Sequence, residues 1–225
     1  MTVNLGIDVA PWRLSGVVYG ALLNHRPALA ALGAAADAAP YKGAPKAPVL
    51  QLRPRNTLAG DGAAVVVPTD ADGLEIGASL AVVIGATACR VEAAHAFDVV
   101  AGYTIASDLR VPHDSHYRPA VRFRARDGFC PIGPRVVAAA ALPAPDTLAV
   151  RVEIDGRIAH ETDTADRIRG VAQLLADVTE FMTLQPGDLL MLGPSHGAPL
   201  ARAGQSVAIT IEGIGTLRHR LVAEA

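Results

Sequence analysis

The last third of the chain reads with a period of two. Val150, Val152 and Ile154 alternate with Arg151 and Glu153, and Val207, Ile209 and Ile211 repeat the pattern. Leu217, His219 and Leu221 alternate with Arg218 and Arg220. Successive side chains of an extended strand leave opposite faces, so this repeat describes strands with one face buried. Asp155-Gly156, which follows the first run, is the dipeptide of a two-residue hairpin. Residues 213–215, Gly-Ile-Gly, turn the chain between the other two runs. This part of the molecule is committed to sheet.

The rest follows in shorter pieces. Residues 14–23, 49–52, 63–67, 79–84, 102–106 and 189–192 are short apolar runs bounded by turn residues, each read as a strand. The Ala-rich segment 27–39, opened by Pro27, is read as a helix, and 92–100 as a short one. Ile168, Val171, Leu175, Val178 and Met182 step by three and four, which predicts an amphipathic helix over 165–182. Residues 40–46 are extended, 108–126 form a polar, basic loop, and 186–188 a turn. The order of strands and helices is too irregular for a doubly wound parallel sheet. The expectation is a mixed α+β, mainly β chain: a rolled sheet or barrel with a few short flanking helices. One domain is expected over 1–225, with 1–45 as a lead segment packed on the roll.

Composition narrows the class. Hydrophobic residues make up 51% but aromatics only 4%, so aliphatic and alanine side chains must fill the core. With 20 basic and 22 acidic residues the formal charge is −2, which offers no electrostatic footprint for nucleic acid. No apolar run reaches the roughly 18 residues of a membrane span. The N-terminus shows no basic segment leading into an apolar one, so a cytoplasmic location is expected. Cys89 and Cys130 form neither a disulfide framework nor a zinc pattern, and Cys130, between Phe129 and Pro131, is read as buried.

Several residues carry chemical content. Asp108, at the end of a predicted strand, can bind a hard cation, act as a base, or simply cap a loop. Arg122, Arg124 and Arg126 stand at alternate positions, which on an extended segment would present three guanidiniums to a carboxylate-rich small molecule; a solvated face is the alternative. Arg53 and Arg55 make a second such pair, and Tyr117 lies between the two groups. His113 and His116 have a spacing open to metal ligation but also read as surface histidines, and Ser195-His196 is adjacency rather than triad geometry.

Taken in order, six segments resemble the fumarylacetoacetate hydrolase family: LAVVIG (80–85), VAGYT (100–104), Asp108, RDGFCPIGP (126–134), TLQPGD (183–188) and IEGIGTL (211–217). NHR (24–26), PYKGAPK (40–46), RPRNT (53–57) and HYRP (116–119) narrow the resemblance to the first-subunit branch with isomerase and decarboxylase activity in 4-hydroxyphenylacetate (homoprotocatechuate) breakdown. It implies a fumarylacetoacetate hydrolase-like rolled sheet. It also implies action on 5-carboxymethyl-2-oxo-hex-3-ene-1,7-dioate and 2-hydroxyhepta-2,4-diene-1,7-dioate. In the family a divalent cation, usually Mg²⁺, is held by a Glu-x-Glu pair and an Asp, and stabilises an enolate. The resemblance places Asp108 as that Asp, but Gly77 and Ser79 stand where the Glu pair belongs, with Glu75 two places early. Arg124 falls at a Lys position, Pro112 at an Arg, Ala28 and Ala31 near a His and a Glu, and Pro194 at a Thr. A dication is therefore expected to be absent or weakly bound, with Asp108 its one remaining carboxylate ligand. Asp108 and Arg124 are the expected catalytic residues, with Arg53, Arg55, Tyr117 and Arg126 on a di- or tricarboxylate 2-oxo acid. The expected assembly is a homodimer, or a hetero-oligomer with a sister subunit. A purely structural partner and an independent hydrolase or decarboxylase are the other readings.

Overall fold

A strand buried on both faces organises the molecule. In this computed structural model, which describes residues 8–9, 12–13, 16–113 and 120–224, Leu74–Ile84 runs through the middle of the larger sheet. Its Leu80–Ile84 stretch is apolar without alternation because a hydrophobic cluster lies against each face.

In chain order the strands are β1 (Asp8–Val9), β2 (Trp12–Arg13), β3 (Val18–Leu22), β4 (Val49–Arg53), β5 (Leu58–Ala59), β6 (Ala63–Val67), β7 (Leu74–Ile84), β8 (Val100–Arg110), β9 (Cys130–Ala138), β10 (Ala149–Ile154), β11 (Arg157–Asp163), β12 (Leu189–Met191), β13 (Leu200–Ala201), β14 (Ser206–Ile211) and β15 (Gly215–Ala223). The helices are α1 (Arg26–Ala31), α2 (Val121–Arg124) and α3 (Val171–Thr179). The larger sheet has the order β4-β3-β12-β7-β8-β9-β5, with β13 paired to β7. The smaller sheet has the order β11-β10-β14-β15-β6, and β1-β2 is a separate antiparallel pair. The main core fills the space between the two sheets. Ile76, Leu80, Ile105 and Leu109 come from one side; Val150, Val152, Ile209, Ile211, Leu217 and Leu221 come from the other. The period-two residues of the C-terminal third are thus the inner face of the smaller sheet, and the mainly β, rolled architecture is as the patterning predicts. Among the described residues no helix is long and apolar enough to cross a membrane.

Among the elements that differ from their sequence-based expectation, four do so for a clear structural reason. β8 does not end before Asp108 but continues to Arg110, because β7 extends back to Leu74 and pairs with it throughout. Residues 121–124 form a helical turn rather than an extended segment, with the Arg124 N–H on the Ala120 carbonyl at 3.1 Å. The predicted 27–39 helix is α1 followed by a 3₁₀ turn at Gly33–Ala36. The 165–182 helix begins only at Val171, which Asp146 caps through its N–H at 2.9 Å. Upstream of it the backbone is bound to residues 24–26: Arg26 N–H to Asp166 O and Ile168 N–H to Asn24 O, both 2.9 Å.

Candidate functional site

The strand period decides which residues meet. On β7, the even-numbered residues from Leu74 to Ile84 enter the main core, so Glu75, Gly77 and Ser79 lie on the opposite face. On β8, Ile105 and Leu109 enter the core, so Asp108 and Arg110 share that opposite face. The antiparallel register puts Gly77 across from Asp108 and Glu75 across from Arg110. Edge strand β4 adds Gln51 and Arg53, both of which reach Asp108.

Above this face is a cleft of about 80 Å³, lined by Ala28, Glu75, Gly77, Asp108, Arg110, Pro194, Ser195 and His196 among others. Four of the positions singled out by the family resemblance, 28, 77, 108 and 194, therefore line one cleft although they are far apart in the chain. The wall formed by residues 194–198 is set by Gly193. Its φ is +90°, and a Cβ there would lie 2.2 Å from the Ala21 carbonyl oxygen, so only glycine turns the chain after β12. The Gly193 N–H donates to Ser79 Oγ at 3.1 Å, and that hydroxyl also hydrogen-bonds the Leu80 carbonyl at 3.0 Å.

The floor is strongly charged. Asp108 is 2% exposed and forms an ion pair with Arg53, both side chains being inaccessible to solvent. Gln51 Nε2 donates to Asp108 Oδ2 at 2.9 Å, and Arg124 Nη1 lies 3.5 Å from Oδ1. Arg53 also donates to the Leu109 carbonyl at 2.9 Å and to the Arg124 carbonyl. Arg124 donates to Gln51 Oε1 at 3.0 Å and to His113 Nε2 at 3.2 Å. Burial pushes Arg124 down to about 9 and Arg53 down to about 10, so both remain cationic at neutral pH. One carboxylate thus faces two guanidiniums. At the rim Glu75 is ion-paired with Arg110.

Of the residues expected from the sequence, Asp108, Arg53 and Arg124 come together. Arg55 and Arg126 do not join them. Arg55 opens a 3₁₀ turn after Pro54 and is exposed. Arg126 and Arg122 point outward and hold Asp70, at 3.2 and 3.0 Å. The shared arginine face is corrected on that ground: a helical turn rotates Arg124 inward and its neighbours out. Tyr117 and His116 lie outside the described residues. His113 packs edge-on to Phe123, with ring centroids 5.2 Å apart, and burial lowers its pKa. Cys130 is buried as expected, and burial pushes its thiol up to about 11. Gln51 and Arg110 are additional site residues. Each stands two positions from an expected one on the same strand, a signal the period of two could have supplied.

The side chains present do not fit a family-type dication. Among the described residues no three His, Cys, Asp or Glu side chains stand together so as to hold a metal ion. Asp108 is engaged by Gln51, Arg53 and Arg124, Glu75 by Arg110, and Ser79 by the backbone. The space a side chain at position 77 would need is filled: a Cβ there would lie 2.7 Å from the Asp108 carbonyl oxygen and 3.0 Å from Pro194 Cβ. Gly77→Ala is therefore expected to lower stability by about 1–3 kcal/mol in urea unfolding, the usual cost of overpacking a tight site. An unchanged midpoint would show that the wall yields freely.

The fumarylacetoacetate (FAA) hydrolase C-terminal family matches residues 17–222. The 4-hydroxyphenylacetate degradation bifunctional isomerase/decarboxylase of Escherichia coli is 39% identical over 211 residues, covering 94% of this chain and 48% of that protein. The chain thus spans about half the length of this curated relative. A 5-carboxymethyl-2-hydroxymuconate delta-isomerase from Mycobacterium smegmatis superposes with a TM-score of 0.79 at 30% identity, covering 96% of this chain and 82% of that one. A maleylpyruvate hydrolase from Sphingobium sp. SYK-6, solved with manganese(II) ion and pyruvate, gives 0.76 at 25% identity, covering 93% and 71%. A family match over most of the chain, a relative 39% identical over 94% of it and a sheet that superposes on solved structures lead to one assignment: the chain belongs to the fumarylacetoacetate hydrolase family.

Proposed function

We propose that this chain is one half of an isomerase/decarboxylase of aromatic-compound catabolism, and that its own cleft serves the tautomerisation of a 2-hydroxydiene dioate to the 2-oxo form. The observation that carries this reading is the make-up of the cleft. Positions 28, 77, 108 and 194 still converge, but the two carboxylates of the lining, Asp108 and Glu75, are each paired with guanidiniums rather than free for a metal. The tautomerisation takes a proton from the 2-hydroxyl oxygen and adds one to carbon. It requires a group that exchanges protons and a positive environment for the oxygen during transfer. Glu75 and His196 are the proton-exchanging side chains of the wall, and Arg110 stands beside Glu75. Asp108 is engaged by two guanidiniums and an amide, which occupy its carboxylate oxygens. With Arg53 and Arg124 it makes a floor of net positive charge suited to a polycarboxylate. Decarboxylation builds more charge on the 2-oxo oxygen, and is assigned to a sister half that retains the Glu-x-Glu pair. Pairing with such a half, or with a second copy, belongs to the same proposal; the match covers 48% of the E. coli relative.

A second reading, a non-catalytic partner with a vestigial cleft, draws on the neutralisation of Asp108 by Arg53. The two separate in one assay. The purified chain alone, given 2-hydroxyhepta-2,4-diene-1,7-dioate, is expected to convert the diene absorbance at a rate that EDTA leaves unchanged. It is expected to release no CO₂ from 5-carboxymethyl-2-oxo-hex-3-ene-1,7-dioate. A rate abolished by EDTA overturns the metal-independent reading. No conversion until the sister half is added, with Glu75→Gln and His196→Gln then without effect, selects the structural partner.

A further inference from the structure

The wall of the cleft opposite the β-sheet is backed by a buried cation. Arg167 is 3% exposed, yet among the described residues its Nε and Nη1 have no hydrogen-bond partner. Among the described residues no carboxylate lies within ion-pair distance of it; Asp163, Asp166 and Asp146 act on it only from farther away. Its backbone is fixed by the bridge to His25, with the flanking bonds from Arg26 and Ile168. Burial lowers the guanidinium to about 10, which leaves it charged at neutral pH. A buried charge with unused donors is costly, and native proteins complete such groups with a partner or ligand.

Among the described residues, the side-chain hydrogen bond of Arg167 goes to the cleft wall. Its Nη2 donates to Ser195 Oγ at 3.2 Å, and Thr162 Oγ1 donates to the same oxygen at 3.1 Å. A hydroxyl has two acceptor lone pairs and one proton. With both lone pairs occupied, the Ser195 O–H is left as a donor, polarised by the guanidinium behind it, on a residue that lines the cleft. The next residue is held as well: the His196 N–H donates to His25 Nδ1 at 3.0 Å.

We propose that Ser195, with Arg167 behind it, forms a carboxylate subsite of the cleft, Ser195 donating to the ligand and Arg167 acting as its positioning residue. This rests on the reading of the cleft as a polycarboxylate site. It adds a second anchoring point, a hydroxyl donor backed by a buried cation and separate from the Arg53–Asp108–Arg124 floor, for an extended acid with carboxylates at both ends.

Succinate titrated into the full chain at low salt, followed by calorimetry, tests the subsite, with sodium chloride and inorganic phosphate as parallel arms. Saturable succinate binding is expected, about tenfold or more weaker in Ser195→Ala, lost in Arg167→Gln and partly restored in Arg167→Lys. Arg220→Ala, on the exposed face of β15, is expected to match the unmodified chain. The imidazole NMR signals of His25 and His196 should shift on addition of succinate in the unmodified chain and not in Ser195→Ala. Equal affinity in Ser195→Ala and the unmodified chain overturns the proposal, as does binding of phosphate or chloride in preference to succinate. Should Arg167→Gln fail to fold, Ser195→Ala, checked by its thermal melt, carries the test alone. Loss of succinate binding in the variants of a chain that catalyses no tautomerisation would refute the functional reading and leave the subsite standing. Tautomerisation with variant-insensitive binding would do the reverse.

Discussion

Replacing Arg53 by methionine is expected to lower the unfolding free energy by about 3–5 kcal/mol, because it leaves a buried carboxylate without its main partner. The cost follows from position. Asp108 and Arg53 both have solvent-inaccessible side chains, and Arg53 also satisfies the Leu109 and Arg124 carbonyls. Arg124 at 3.5 Å and Gln51 at 2.9 Å remain to hold Asp108, which bounds the loss. Asp108→Leu alone should be comparably damaging, since it exposes two buried guanidiniums to each other. The double variant Arg53→Met with Asp108→Leu is expected to regain part of the loss, because an apolar pair of similar volume replaces an ion pair with a large desolvation cost. Urea unfolding of the three variants forms the measurement. A loss below about 1 kcal/mol for Arg53→Met would mean that water enters and solvates Asp108.

The second large effect is in acid. His219 of β15 and Ser107 of β8 join the two sheets, with His219 Nε2 3.0 Å from Ser107 Oγ and Nδ1 without a hydrogen-bond partner among the described residues. Burial lowers His219 from its ordinary 6.5 to about 4. The unfolded chain takes up a proton near 6.5, while the folded chain resists it until about 4. Between those values the unfolded state binds more protons, so stability falls as the pH falls. Above 6.5 the imidazole is neutral in both states and stability is fully present; below about 4 the loss is complete. At about 1.4 kcal/mol per pH unit this span amounts to about 3 kcal/mol. Urea midpoints at pH 7.5, 6, 5 and 4 should follow that slope, and the double variant Ser107→Ala with His219→Leu should flatten it. Parallel slopes in the two proteins would assign acid sensitivity to other groups.

Legibility tracked how local each cause was. The alternation of Val150 to Ile154 and of Val207 to Leu221 is written residue by residue, and those residues are the inner face of the smaller sheet. Glu75 stands two places from Gly77 in the sequence, and the strand period puts it on the same face, where it pairs with Arg110. The helical period over 165–182 was real only from Val171, because residues upstream bond to 24–26, a contact between segments about 140 positions apart that no local window contains. The three alternate arginines went astray for a related reason: their spacing is the same on a strand and on a turn of helix, but the faces it selects are not. Arg167 had no local signal. It lies among polar residues and matters only because tertiary packing buries it behind Ser195.

By itself the sequence determined the family and the mainly β architecture, since each is a matter of residue identity at fixed intervals. Only the tertiary structure decided what became of the charges left behind. Asp108 is a free ligand in a string of letters. In the fold, edge strand β4 and the turn of α2 bring Arg53 and Arg124 onto it, and the low-dielectric floor makes that pairing costly to break. The physical reason is that pattern is a property of neighbours in the chain, whereas burial and electrostatics depend on neighbours in space.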